Sequence, residues 1–350
     1  MSTAAGPAGL VGAAAVADTL ERCRTLVTPA LRAAVERLAP DVGAMAAYSF
    51  GWQDVDGTPL TGAAGKGLRP AFAVLAAEAV GAPAEAAVPG AVAVELVHAF
   101  SLVHDDIMDG DERRRHRDTV WKAYGVGPAV LAGDALLVLA VDTLAAAAPE
   151  PDRAAALDLL TTALVELVNG QAADVAFETR PWTGPGAVSV EEYTAMAIGK
   201  TGSLLGCAAG LGALLGGAPP DTVAALDRTG RDVGLAFQAV DDLLGVWGDP
   251  ALTGKPVRND LRERKKTLPV VAALASGTPA GARLPRLLGD AAALHEAAHA
   301  IETAGGRAAT SALAERHLRR ARRALDRVAT DRAAAEALGA LAAFAVTRTH

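Results

Sequence analysis

Two apolar segments of this chain each end in aspartates, and those aspartates are its residues best suited to chemistry. The first segment reads Glu95-Leu-Val-His98-Ala-Phe100-Ser101-Leu-Val-His104-Asp105-Asp106-Ile-Met-Asp109. On a helix Asp105 and Asp109 stand at i and i+4, so their carboxylates share a face, with Asp106 beside them and His98 two turns back on roughly that face. Like charges at that spacing destabilise a helix slightly, and a helix C-terminus disfavours negative charge. Local stability therefore does not explain the arrangement, whereas a bound cation does. The second segment reads Phe237-Gln238-Ala-Val-Asp241-Asp242-Leu-Leu-Gly245. It sets Gln238, Asp241, Asp242 and Gly245 at i, i+3, i+4 and i+7, a single stripe. Oxygen donors without Cys select hard cations, Mg²⁺ or Mn²⁺, over zinc. The metal candidates are thus Asp105, Asp106, Asp109, Asp241 and Asp242. A solitary run of this kind is usually a solvated helix end. Two such runs, each followed by a basic loop, are a far less accidental pattern.

Mg²⁺ held by few carboxylates keeps water and substrate phosphates as its other ligands. Cations for the remaining phosphate charge stand nearby in the sequence. Lys66 and Arg69 flank a helix start before Pro70, where free N–H groups also favour anions. Arg113, Arg114 and Arg115 follow the first acidic run, and Lys255, Arg264, Lys265 and Lys266 follow the second. Lys200-Thr201 falls inside a predicted helix. Arginine forks suit bidentate phosphate contact and lysine serves as a mobile point charge. Arg113 reads as an ordinary surface charge.

The elements that carry these residues read as helices throughout. The hydrophobic fraction of 51% is mostly Ala, Leu and Val, and aromatics are only 4%, a composition that favours all-α. After a flexible leader over residues 1–20, helices are expected at about Asp18–Leu38 (bent or broken near Pro29), Leu68–Val80, Ala86–Asp109, Pro128–Ala147, Arg153–Phe177, Val190–Leu215 and Asp221–Val246. Polar loops are expected at Phe50–Gly65, Gly110–Asp118 and Gly248–Lys266, and a Gly/Pro/Ala linker at Gly277–Pro285. No repeat and no clean boundary appears, so residues 21–350 read as one domain. A net charge of −7 without a long Lys/Arg block argues against a nucleic-acid partner. Cys23 and Cys207 read as reduced, structural thiols. The most apolar stretch, Ala129–Ala148, carries Asp134 and Asp142, which favours a buried helix over a membrane span. No signal peptide is evident, and a cytoplasmic location is expected.

From about Gly65 to Pro269 and beyond, these residues resemble the trans-isoprenyl diphosphate synthase (polyprenyl synthetase) family, which includes farnesyl and geranylgeranyl diphosphate synthases. Asp105-Asp106-Ile-Met-Asp109 resembles the family's first aspartate-rich motif, with Arg114-Arg115 at the expected interval. Asp241-Asp242, with Gly248-Asp249-Pro250, Thr253-Gly254-Lys255 and Lys265-Lys266-Thr267, resembles its second. The resemblance implies a helical bundle around a deep central cavity, the type I isoprenoid synthase fold, acting as a homodimer. It implies that Asp105 and Asp109 hold two Mg²⁺ and Asp241 a third. Arg114, Lys200, Lys255 and Lys265 would contact the allylic diphosphate (dimethylallyl, geranyl or farnesyl), and Lys66, Arg69, His98 and Arg115 the isopentenyl diphosphate. Gln238 and the backbone oxygen of Lys200 or Thr201 would offer dipoles to a carbocation. Phe100 and Ser101, one turn before Asp105, would set chain length, and their bulky-then-small pairing is similar to short-chain members, geranylgeranyl diphosphate first and farnesyl diphosphate next. Three positions depart from the family pattern: Gly67 stands for an arginine, Gly245 for an aspartate and Asp118 for a proline. A class I terpene cyclase and a non-catalytic subunit remain as alternatives.

Overall fold

The computed structural model describes residues 7–60, 65, 67–250 and 257–346, and for residues 7–13 only their backbone. Lys66, Lys255 and the Thr253–Lys255 part of the second motif lie outside the described residues. The chain is all-α, with one two-stranded hairpin and an isolated bridge between Gln53 and Pro59. The helices before the second motif are α1 (Pro7–Val35), α2 (Pro40–Ser49), α3 (Leu68–Ala79), α4 (Val88–Asp109), α5 (Val120–Tyr124), α6 (Val126–Ala147), α7 (Arg153–Glu178), α8 (Val190–Ala197), α9 (Ser203–Leu215) and α10 (Pro220–Trp247). Shorter or C-terminal helices follow at Asn259–Arg262, Leu268–Leu274, Pro279–Leu287, Leu294–Thr303, Gly306–Val328 and Arg332–Val346.

Contacts divide the chain into two units. The first comprises residues 1–162, 207–227 and 328–341. Its densest packing is α4 against α6, with α3 and α1 also on α4. Phe72, Leu75 and Leu96 are fully buried there. Gly90 of α4 meets Leu211, and a Cβ on Gly212 would fall 2.0 Å from the Ala73 carbonyl oxygen. Only glycine permits that backbone approach. The second unit comprises residues 163–206, 228–327 and 342–350. It holds a core of Phe177, Tyr193, Met196, Leu235, Val240, Leu268 and Leu313, and another of Val246, Leu261, Leu284 and Ile301.

The structure departs from the expected elements at five places. Helix α1 begins at Pro7, within the stretch expected to be a flexible leader, as its Ala-rich composition favours. It also runs through Pro29 without a break. The stretch Val190–Leu215 is interrupted by a π-helical turn at Ile198–Gly202. The Gly110–Asp118 loop contains the hairpin, Arg113–Arg114 paired with Arg117–Asp118. The segment taken for a linker forms the helix Pro279–Leu287, because Thr278 accepts the Gly281 N–H as an N-cap and Pro279 begins the first turn. Cys23 and Cys207 are both buried, and burial pushes the Cys23 thiol up to about 11.

Helix α6 also differs from expectation. Asp134 and Asp142 lie on an exposed stripe of α6, together with Val130, Leu131 and Val138. The acids therefore mark a half-buried helix with a surface face. The segments Ala84–Asp109, Val126–Ala147 and Val190–Leu215 have the length and apolarity of a membrane span. The first and third are mostly packed inside the protein, and the second is not.

Candidate active site

Helix α4 delivers the first acidic run to its own C-terminus. It ends at Asp109, and Gly110 takes the left-handed conformation (φ 68°) that closes a helix without a Cβ penalty. Asp105 is half-buried and Asp109 exposed, so both carboxylates reach solvent from the last turn. Asp106 does something else. It is 4% exposed, and its Oδ1 accepts from Arg114 Nε at 2.8 Å and Nη2 at 2.6 Å. Burial pushes the Asp106 carboxyl up, and the Arg114 bond holds it partly down. Its oxygen thus serves the arginine, not the face that Asp105 and Asp109 share.

That bond fixes the hairpin behind the helix end. Arg117 donates to the Tyr48 carbonyl (3.1 Å) and the Gln53 carbonyl (3.0 Å) and lies over the Tyr48 ring. Tyr48 Oη donates to the Asp118 carbonyl at 2.7 Å. Asp118 pairs with Arg113 across the hairpin, and the Arg113 side chain stays at the surface, as expected. Arg115 and His116 form the tip with φ of 51° and 65°, a left-handed pair that matches strand twist in a two-residue turn.

Between hairpin and helix lies a cavity of about 260 Å³, lined by Tyr48, Gly65, Glu95, His98, Arg114 and Arg115 among others. Burial and the charges of Arg69, Arg115 and Arg114 hold the His98 imidazole well below its ordinary value, so it is neutral at neutral pH. Arg69 stands half-buried at the start of α3, after Gly67, which has φ of 63°. The glycine found where the family has arginine thus occupies a backbone state that side chains disfavour. Ser101 donates to the His98 carbonyl at 2.9 Å, and Phe100 is buried edge-on to His104 at 4.9 Å. The two chain-length candidates consequently face different surroundings, one on the helix backbone and one in the core.

In the second unit α10 carries the second run, and a chain of hydrogen bonds links its residues to the π-turn. Thr201 Oγ1 donates to Gln238 Oε1 at 2.9 Å, and Gln238 Nε2 donates to Asp242 Oδ1 at 3.0 Å. Asp242 Oδ2 also accepts from Tyr193 Oη and from the Leu268 N–H. Asp242 is 3% exposed, and burial raises its carboxyl to about 7. Like Asp106, it is committed to bonds inside the protein. Asp241, half-buried, is the acid of this pair on the open side of α10.

Gly245 has a local explanation. A Cβ there would stand 1.8 Å from Asp260 Oδ2. The Asp260 carboxylate occupies the space into which the family's aspartate side chain would extend, so negative charge remains beside this turn although residue 245 lacks it.

Lys200 lies in the π-turn and pairs with Asp174 of α7 at 2.5 Å. Backbones approach closely enough here that a Cβ on Gly170 would be 2.3 Å from the Lys200 nitrogen, and one on Gly234 2.5 Å from the Gly202 Cα. The extra residue of a π-turn redirects the side chains that follow it, and such turns concentrate at functional sites. Lys265 is near Glu263 at 3.4 Å. Its neighbour Lys266 is buried, donating to the Glu178 carbonyl at 2.7 Å over the Trp182 ring. Asp174, Tyr193, Tyr48, Glu95 and Arg117 were not singled out from sequence. Each is an ordinary polar residue until its partner is known.

Among the described residues no three His, Cys, Asp or Glu side chains come together as a ready metal cage. The oxygen donors present suit a cation completed by water and phosphate, and the arginines and lysines suit the phosphate. In each unit an aspartate-bearing helix with guanidinium or ammonium groups suits diphosphate chemistry. The chain belongs to the polyprenyl synthetase family, whose profile matches residues 58–304. It is 50% identical to the (2E,6E)-farnesyl diphosphate synthase of Mycobacterium tuberculosis (strain ATCC 25618 / H37Rv) over 84% of this chain and 82% of that one. It is 45% identical to the geranylgeranyl diphosphate synthase of the same strain, over 82% of each. Among solved structures, a polyprenyl synthetase from Streptomyces coelicolor A3(2) is 50% identical with a TM-score of 0.88, covering 95% of this chain and all of that one. A geranylgeranyl pyrophosphate synthase from Corynebacterium glutamicum, complexed with isoprenyl diphosphate and magnesium, is 28% identical with a TM-score of 0.78, covering 95% and 99%. The chain is accordingly a short-chain isoprenyl diphosphate synthase with the all-α isoprenoid synthase fold, a prenyltransferase.

Proposed function

We propose that this enzyme elongates allylic diphosphates with isopentenyl diphosphate to geranylgeranyl diphosphate, using Mg²⁺, with Mn²⁺ as a substitute. The observation that carries the reading is the cavity behind the α4 acidic end, lined by His98, Arg114 and Arg115. Asp105, Asp109 and Asp241 are the carboxylates with access to solvent, and they are the proposed metal ligands. Asp106 and Asp242 position Arg114 and Gln238 instead. When bound, Mg²⁺ neutralises charge on the leaving diphosphate.

The protein's own groups then have distinct tasks. Arg114, Lys200, Lys255 and Lys265 take the allylic diphosphate, and their charges stabilise it more as it departs in a dry site. Lys66, Arg69, His98 and Arg115 hold isopentenyl diphosphate, with neutral His98 donating a hydrogen bond. Gln238 and the Lys200–Thr201 backbone offer dipoles to the allylic cation, and the hydrogen bond from Thr201 fixes the Gln238 amide. The isopentenyl double bond attacks the cation, and a proton is then lost, in our reading to the released diphosphate. Alignment and exclusion of water serve both steps.

Small Ser101 one turn before Asp105 supports a geranylgeranyl product. The greater identity to a farnesyl diphosphate synthase favours farnesyl diphosphate as the second reading. Incubation with Mg²⁺, isopentenyl diphosphate and each allylic primer, followed by phosphatase and chromatography, tests both. A twenty-carbon alcohol supports the first, a fifteen-carbon alcohol the second. Cyclised hydrocarbon would point to a cyclase, and binding without turnover to a silent subunit. A cytoplasmic homodimer completes the proposal.

A further inference from the structure

The second unit's core contains a phenol. Tyr193 is 2% exposed and belongs to the cluster of Phe177, Met196, Leu235, Val240 and Leu268. Its place is set by the start of α8, which opens on a capping box. Ser189 Oγ accepts the Glu192 N–H, the Glu192 carboxylate accepts the Ser189 N–H, and Arg180 donates to the same carboxylate. Tyr193 is the next residue. Packing alone would be served there by phenylalanine, whereas a buried hydroxyl must find a partner inside the protein.

That partner is Asp242 Oδ2, which also takes the Leu268 N–H at 2.8 Å. With two donors on Oδ2, Oδ1 is left to receive Gln238 Nε2 at 3.0 Å. The amide is thereby turned so that its Oε1 meets Thr201 Oγ1 at 2.9 Å. A carbonyl oxygen accepts twice, so the Thr201 bond leaves Gln238 a lone pair for another positive partner. The opposite amide orientation would present N–H groups instead and repel a cation. Each link from Tyr193 to Thr201 is a hydrogen bond between side chains of one unit.

We propose that Tyr193 is a positioning residue for the condensation. Its hydroxyl locks the Asp242 carboxyl, and through it the Gln238 amide, in the orientation that offers oxygen to the allylic cation. It touches no substrate and acts only through Asp242. The inference rests on the proposed function, which is where Gln238 has that task.

The test is the rate of the first condensation in a single turnover, which separates chemistry from product release. It is measured for the wild type, Tyr193→Phe, Gln238→Ala and the double variant. Tyr193→Phe should lower this rate about tenfold, as loss of an outer partner of a site group does, with KM for each substrate within about twofold of wild type. In the Gln238→Ala background the same change should cost less than about twofold, because the group it orients is gone. An undiminished rate in Tyr193→Phe would overturn the proposal. So would an equal loss with and without Gln238, the result expected of a merely structural tyrosine. If Tyr193→Phe does not fold, 4-fluorophenylalanine at position 193 fills the space of the hydroxyl without a donor and is read in the same cycle. An inactive wild type would instead overturn the functional reading, and the two failures are thereby told apart.

Discussion

Each aspartate pair divides its labour, and the division follows from burial. Asp105 and Asp241 keep access to solvent, whereas Asp106 and Asp242 are 4% and 3% exposed and bonded internally. Asp105→Ala should therefore lower kcat by about a hundredfold to a thousandfold, the range for removing a preorganised electrostatic group, with little change in melting temperature. Asp106→Asn should behave differently, costing about 1–3 kcal/mol of stability because Arg114 loses its charged acceptor. Thermal melts beside turnover assays separate the two, and a collapsed Asp105→Ala would refute the division. His98 gives a pH prediction. Its folded pKa lies below the unfolded one, so the unfolded state binds more protons and stability is lost as pH falls below about 6.5. Glu95, raised in the folded state, has the opposite slope: its contribution is largest at low pH and declines as pH rises through its folded value. Melts of substrate-free protein between pH 5.5 and 7.5, about the ordinary histidine value, should show a shallower acid loss in His98→Gln than in wild type. The acids at i, i+4 and the basic loops after them were legible in sequence because charge and spacing are local properties. The division within each pair was not, since it depends on Arg114, Tyr193 and Leu268, which reach the acids from eight or more residues away.

At the scale of elements, long apolar runs bounded by Gly and Pro were enough to place most helices, including α4, which ends in its acidic run, and α10, which carries the second. What periodicity could not show was the π-turn at Ile198–Gly202, which amounts to one added residue within an otherwise helical stretch. Its cause is distant. Gly170, Gly199, Gly202 and Gly234 let backbones meet, and any Cβ at Gly170 or Gly234 would penetrate the opposing main chain. Gly170→Ala and Gly234→Ala should each cost about 1–3 kcal/mol, the penalty of overpacking a close contact, visible as a lowered denaturation midpoint. They should also reduce kcat, because the turn presents Lys200 and Thr201. Alanine at Gly127, an exposed helical position with open space around it and no left-handed backbone, is the control for general glycine effects. If Gly170→Ala leaves stability and kcat unchanged, the close crossing does not hold the turn. The hairpin tip was missed for a similar reason: Arg115 and His116 adopt a left-handed turn without the Asn or Gly that normally advertises one. The Asp106–Arg114 bond and the Arg117 contacts with Tyr48 and Gln53 impose it.

For the whole molecule, the exposed stripe on α6 is the feature that an isolated chain explains least. Leu131 and Val138 are 62% and 66% exposed, with Val130 beside them, and Val165, Val168 and Val175 of α7 are also exposed. Scattered surface Val or Leu is ordinary, but several on one helix face mark an association surface. Asp134 and Asp142 on the same stripe fit poorly with burial in lipid, whereas a protein partner can accommodate them at a polar rim. A second copy of this chain is the partner that the family resemblance implies. Light scattering should accordingly give about twice the 35.4 kDa chain mass. Leu131→Glu together with Val138→Glu places charge on the stripe without touching the α4 core and should shift that mass to the monomer. Retained circular dichroism would show that the fold survives, and turnover measured on the same sample would show whether the site needs the partner. A wild type that elutes as a monomer, or a double variant that stays dimeric, would refute assembly through α6 and leave the stripe to another partner.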